Sequence, residues 1–335
     1  PQFLLLRWPV GLFNALHAVL DGHGAAVERA VVDAPALHAL EREAELAELG
    51  RLHDAACAKE RVAAAVASGV DVSCDLMCAT PGQTDASWGR TLRQTAELGV
   101  GHVSVYPLMI EEGTAFDRRY AHDPCAWNSD EVQAARMQQA QVQLEGYGYR
   151  RYEVASYAMP DKACRHNKAY WTGRPYLGLG TQASSMLTLK GYLRLRGLAR
   201  QLPEPPCGTA RVRLTMTLER GRLAQAPSLA HQPFSLEFLD EAQAAAEDLM
   251  LGMRMARGVS DEQVARAAAV IDDAASTAAS SGSMTPGSET GSVLAAFDEL
   301  ASLGLVKHAD GRWRPTDAGW LCGNELYGRL LDLAP

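Results

Sequence analysis

At 335 residues and 47% hydrophobic content, the chain has the length for two domains and the composition of an ordinary globular protein. A formal net charge of −8 argues against a general polyanion binder. Seven cysteines without the dense spacing of a secreted disulfide scaffold point to a reducing, cytoplasmic compartment. The most apolar stretch, 3–20, is broken by Arg7, Asn14 and His17, so neither a membrane span nor a signal peptide is expected. The chain opens on Pro1 rather than Met, which reads as a fragment or a processed product.

An alanine-rich helix is predicted over 55–68 and a strand over 70–77. A helix follows over 85–98, with Thr84 or Asp85 as its N-cap, then a strand over 102–109. A helix opening on Ser129-Asp130-Glu131 is expected over 129–145, with strands over 149–155 and 177–187. Strands alternating with helices imply parallel βαβ units, and a closed or partial barrel suits them better than a doubly wound sheet. Residues 191–235, which include Pro203-Glu204-Pro205-Pro206, read as linker and loops. A C-terminal domain is expected over 236–335, with a low-complexity insertion at 274–292 and a helix over 293–303. Asp310-Gly311 between two short strand-like runs is a hairpin signal, and helix, hairpin, helix is the outline of a winged helix. This domain holds 7 Lys+Arg against 16 Asp+Glu, which argues against nucleic acid and for a cover or partner-docking role.

The segment Cys164-Arg165-His166-Asn167-Lys168-Ala169-Tyr170-Trp171 gathers a thiol, an imidazole, an amide and two aromatics, with Tyr176-Leu177-Gly178-Leu179-Gly180 just after. That combination suits a flat, metal-bearing aromatic ligand. His166 is the candidate axial ligand for haem iron, Asn167 a residue to orient it, and Tyr170 and Trp171 stacking faces. Cys164 is a possible thiolate ligand. On the plainer alternative, His166 and Asn167 tie down a loop, Trp171 fills the core and Cys164 is a buried structural thiol. Gly178 and Gly180 permit close backbone approach. Met109, Met159 and Met186 read as core, and His53 and His102 as hydrogen-bonded structural histidines. Asp75 lies near the C-terminal end of a strand, where barrel enzymes carry functional groups; the alternative is an acid that caps the next turn.

Asp75-Leu76-Met77-Cys78-Ala79-Thr80-Pro81-Gly82-Gln83-Thr84, with Trp88 after it, resembles the D-L-I-Y-G-L-P-G-Q-T…S-W signature of the oxygen-independent coproporphyrinogen III oxidase-like family. Further matches run in order: Leu49-Gly50-Arg51-Leu52-His53-Asp54-Ala55, Ser104-Val105-Tyr106-Pro107-Leu108, the block over 152–180, and Thr316-Asp317-Ala318-Gly319 with Asn324-Glu325-Leu326. The His-Asn-x-x-Tyr-Trp block is most similar to the haem-chaperone (HemW-type) branch. The resemblance, over 44–330, implies an α/β fold: the C-terminal part of a radical-SAM-type barrel over 44–190, then a C-terminal helical, winged-helix-like domain. It also implies S-adenosylmethionine held by Arg51 and Asp75, a [4Fe–4S] cluster in intact members, and haem or porphyrin delivered to an acceptor protein.

This chain departs from that pattern. Residues 1–43 match nothing in the family, and Cys-x3-Cys-x2-Cys is absent. Cys74 and Cys78 keep the first spacing, but Pro81 stands at the third position, and on a strand the two lie about 13 Å apart at roughly 3.3 Å per residue. Where the family carries a His before a Ser, this chain has Ser184-Ser185. A cluster is therefore not expected, no catalytic residue is assigned, and enzymatic activity is left open. The chain reads as a truncated or frameshifted product, or as a haem binder without radical chemistry. The rival is a non-enzymatic interaction module that kept the fold.

Overall fold

The computed structural model describes residues 55–120, 125–217, 233–280 and 292–334; side chains at 277–280 are not described. Arg51, His53, the segment 1–43 and positions 281–291 of the low-complexity insertion lie outside these residues. The chain divides into two compact units, Pro1–Cys164 and Arg165–Pro335.

The first unit contains helix α1 (Ala55–Ala67), strand β1 (Ser73–Cys78), α2 (Asp85–Glu97), β2 (His102–Pro107), α3 (Ala115–Tyr120), α4 (Asp130–Gly146), β3 (Arg150–Arg151) and β4 (Ser156–Ala158). The sheet order is β1-β2-β4-β3. β1 and β2 are parallel, from Ser73 opposite His102 to Cys78 opposite Pro107, with α2 as the crossover between them. Cys74, Leu76, Cys78, Val103, Val105 and Tyr157 pack with Val62, Trp88, Leu92, Ala140 and Leu144 in one core. Burying a leucine fully is worth about 1.5–3 kcal/mol, and a one-residue slip would turn Leu76 onto the opposite face, so the register is tightly held.

Local signals set the helices. Thr84 caps α2 in a capping box with Ser87, and Ser129 caps α4. Buried Trp88 donates its indole N–H to the Arg136 carbonyl at 3.0 Å and joins α2 to α4. Beyond the strand ends, the Asn128 amide donates to the carbonyls of Ala79 (2.7 Å) and Leu108 (2.9 Å).

The expected parallel strand over 149–155 is not formed. The chain makes a short antiparallel pair instead, Arg150–Arg151 with Ser156–Ala158, and β4 runs antiparallel to β2. Residues 152–155 turn between them, with Tyr152 N–H on the Ser156 carbonyl and the Ala155 carbonyl accepting the Val105 N–H of β2. Met109, read as core, is 63% exposed because it lies past the end of β2, whereas Met186 is buried and Met159 packs against the core.

The second unit opens with α5 (Arg165–Trp171). An antiparallel sheet β5-β6-β7 follows, from Ser184–Thr188, Arg211–Met216 and Phe234–Leu239, with α6 (Leu189–Leu198) between its first two strands. The fourth strand predicted over 177–187 is thus only Ser184–Thr188, in an antiparallel sheet and preceded by the single bridge Tyr176–Met186. Within 191–235, read as linker, most of α6 and all of β6 are ordered elements. Alternation explains β6: Val212, Leu214 and Met216 point into a core with Tyr192 and Leu202.

Then come α7 (Glu241–Met253), β8 (Val259–Ser260), α8 (Asp261–Ser280), α9 (Val293–Ser302), β9 (Val306–Ala309), β10 (Arg312–Pro315), α10 (Asp317–Leu321) and α11 (Gly323–Leu331). The strands pair as β8-β10-β9, and Leu249, Met253, Phe297, Trp313, Leu326 and Leu330 form the core. Asp310 and Gly311 turn the β9–β10 hairpin, both at positive φ. Part of the low-complexity stretch is helical, since α8 runs to Ser280. No described helix is long and apolar enough to cross a membrane.

Gly258 has φ +58, and a Cβ there would stand 1.8 Å from the Trp313 carbonyl oxygen. Gly258→Ala should therefore destabilise the protein by at least about 3 kcal/mol, read from urea unfolding by circular dichroism.

Candidate functional site

Strand alternation that sends Leu76 and Val103 to the core sends Ser73, Asp75 and Met77, and His102, Ser104 and Tyr106, to the other face. Asp75 lies opposite Ser104, and Ser104 opposite Ser156, so one polar row crosses three strands. The Ser156 hydroxyl donates to Ser104 at 3.2 Å. His102 is buried and bonded at both ring nitrogens, as expected of a structural histidine: Nδ1 to Ser73 Oγ at 2.7 Å and Nε2 to the Tyr152 hydroxyl at 2.8 Å.

Glu153 is buried beside them and accepts the Ala155 N–H at 3.3 Å. Tyr106 is half exposed as a residue. Its phenol is nonetheless pushed above the usual range, first by desolvation and next by the Asp75 carboxylate, against a hydrogen bond with Ser104 that lowers it. Cys164 is half-buried, and its backbone N–H donates to the Tyr152 hydroxyl at 3.3 Å.

In the second unit, His166 and Tyr170 are four residues apart on α5 and share one face. Their rings meet edge to face at 4.6 Å, and Tyr170 meets Tyr176 at 4.4 Å. Burial, and then Tyr176, push the Tyr170 phenol up to about 12. Asn167 and Trp171 share a different face of the helix. Trp171 packs against the core of this unit, with the Arg254 guanidinium over its ring at 5.2 Å. The plainer reading of Trp171, as core, therefore describes its surroundings.

Ser184 bonds Thr215 at 2.7 Å, and Ser185 accepts the Gly178 N–H at 3.0 Å, so this pair serves the sheet. Gly178 is required by close approach, for a Cβ would lie 2.2 Å from the Ser184 carbonyl oxygen. Arg211 bridges Glu247 and Asp248 at 2.6 and 2.7 Å, and Arg213 pairs with Glu237 and Glu247, fixing β6 to α7.

Tyr106, Tyr152, Glu153 and Tyr176 lie in the motifs that carry the resemblance, but sequence reasoning gave none of them a site role. Tyr106 was further signalled by polar residues at every second position of an apolar strand, whereas the ring contact of Tyr176 is made across a loop.

The residues do not fit an iron–sulfur cluster. Cys74 and Cys78 face the apolar core and are fully buried. Burial raises the Cys74 thiol well above its ordinary range and that of Cys78 up to about 12, whereas a cluster takes thiolates. Among the described residues no group of three His, Cys, Asp or Glu side chains could hold a metal ion.

No protein-family model matches the chain. By structure it resembles coproporphyrinogen III oxidase (HemN) from Escherichia coli, a radical SAM enzyme, with a TM-score of 0.59 and 16% identity over 87% of this chain and 62% of that one. The fold is thus α/β of the radical SAM type, with a partial barrel. By sequence, the chain is 37% identical over 139 residues to heme chaperone HemW of Mycobacterium tuberculosis, covering 41% of this chain and 36% of that protein. It is 36% identical over 149 residues to heme chaperone HemW of Escherichia coli, covering 44% and 38%, and 25% identical over 261 residues to that of Bacillus subtilis, covering 78% and 59%. Over the residues they share, the chain is a relative of these haem chaperones, and it spans between 36% and 59% of the length of these three.

The buried thiols make stability depend on pH. Folded Cys78 holds its proton up to about 12, against 9.0 ordinarily, so its contribution is complete below pH 9.0 and is lost as the pH rises toward 12. It should remove about 1.4 kcal/mol per pH unit across that window. Cys78→Ala should show a shallower fall than the wild type in urea unfolding between pH 9 and 11.

Proposed function

We propose that the chain takes haem or a related porphyrin as cargo, with His166 as axial nitrogen donor and Tyr170 and Tyr176 as its aromatic wall. The observation that carries this is the half-buried series His166–Tyr170–Tyr176, in a chain whose relatives are named haem chaperones. Neutral imidazole is a common protein ligand to haem iron, and flat rings favour a flat macrocycle. Asn167 supports the same helix, Trp171 anchors it, and Cys164 offers a thiol just before it. We assign Asp75, in the polar row with Ser104 and Ser156, to accept the donor groups of S-adenosylmethionine, and by resemblance Arg51 would donate to the same cofactor. Radical chemistry is not part of this reading, because the cysteines suit no cluster.

The C-terminal part supports docking to an acceptor protein. We read its order, α7, β8, α8, α9 and the β9–β10 hairpin, as winged-helix-like, but its excess of acid repels phosphate backbones. The rival interaction module is favoured by Leu177 and Leu179, which are 60% and 85% exposed beside the aromatic series.

Spectrophotometric haem titration separates the two. A Soret shift that weakens at least about tenfold in His166→Ala, and stays within about twofold in the exposed control His308→Ala, is the expected result. No shift in the wild type would favour the interaction module. Anaerobic reconstitution with iron and sulfide should give no cluster absorbance and, with dithionite and S-adenosylmethionine, no 5′-deoxyadenosine.

A further inference from the structure

We infer that His102 is a positioning residue: through Tyr152 it fixes the backbone of Cys164, and with it the start of the segment proposed to hold the porphyrin. The two strands set it in place. His102 lies directly opposite Ser73 in the parallel register, buried on the polar side of the sheet. Its two ring nitrogens reach different elements, Ser73 on β1 and Tyr152 in the turn before β4, at 2.7 and 2.8 Å. The Tyr152 oxygen then accepts the Cys164 N–H at 3.3 Å. Four residues far apart in sequence are joined in one hydrogen-bonded chain, and none of these bonds follows from local secondary structure.

The Tyr152 hydroxyl is the branch point of this network: it meets His102 Nε2, takes the Cys164 N–H and also bonds the Ser156 side chain. It stays a phenol. Burial, followed by the charges of Glu153 and Cys164, pushes Tyr152 well above the usual range. The Cys164 backbone is thereby tied to the polar side of the sheet.

The inference depends on the proposed function only in that Cys164 opens the porphyrin segment, and its test uses no haem. Alkylation of the full chain is followed cysteine by cysteine by mass spectrometry, with exposed Cys207 and Cys322 as internal references. His102→Gln places an amide near the Nε2 position and keeps the bond to Tyr152. His102→Asn places it near Nδ1 and keeps only the bond to Ser73. Cys164 should react within about twofold of the wild-type rate in His102→Gln, but about tenfold faster in His102→Asn and in Tyr152→Phe, with the references unchanged. Equal Cys164 rates in the Gln and Asn variants would overturn the assignment, as would a rise at Cys164, Cys207 and Cys322 together. Should the variants fail to fold, ¹⁵N spectra of the wild-type imidazole decide. Both ring nitrogens of His102 are expected to be hydrogen-bonded, and a solvated, unbonded Nε2 overturns the assignment. Loss of the Soret shift with this result intact would remove the haem reading and leave the role of His102 standing.

Discussion

Alternation gives each strand two faces, and in β1 and β2 it divides an apolar side from a polar side that is itself largely buried. Leu76, Cys74 and Cys78 hold the sheet against the helices, while Asp75, Ser104, His102 and Tyr106 are left on the far side. The parallel register fixes which of these meet: Ser73 with His102, Asp75 with Ser104. A shift of one residue would bury an aspartate in the core, at a cost far beyond a leucine's gain.

The same division accounts for the cysteines. Cys74 and Cys78 carry a spacing that invites a metal-site reading, yet strand alternation puts both on the apolar face. There the environment keeps them protonated. A spacing read without its periodicity is therefore misleading, whereas the absence of a third thiol at Pro81 was plain in the sequence.

How far the rest was legible follows from the range of the interactions. Helices α2, α4 and α9 were readable because their caps and periodicity are local: Thr84, Ser129 and Ser292 each accept from a backbone N–H a few residues on. The Asp310-Gly311 hairpin was readable for the same reason. The antiparallel turn at 152–155 and the sheet β5-β6-β7 were not, because they depend on partners 50 or more residues away or on pairings among short strands with weak local preference. In the candidate site, His166 and Tyr170 stood out because a thiol, an imidazole, an amide and two aromatics fall within eight residues. The roles of Tyr152, Glu153 and Tyr176 lie in tertiary contacts that no spacing encodes. Similarly, Trp171 could have faced ligand or core from sequence alone; it is partly buried against the apolar cluster, with Arg254 over its ring.

Asn128 holds the carbonyls of Ala79 and Leu108 with the two protons of a single planar amide. The turns beyond β1 and β2 are thus joined by a rigid crosspiece rather than by two independent tethers. Because Ala79 also stands at positive φ, with its N–H on the Gln83 side chain at 2.8 Å, it has little slack of its own. Mechanically the two strand ends form one lip: a displacement of either is passed to the other within the length of a hydrogen bond. Any molecule that rests on the polar row meets the stiffness of both ends at once.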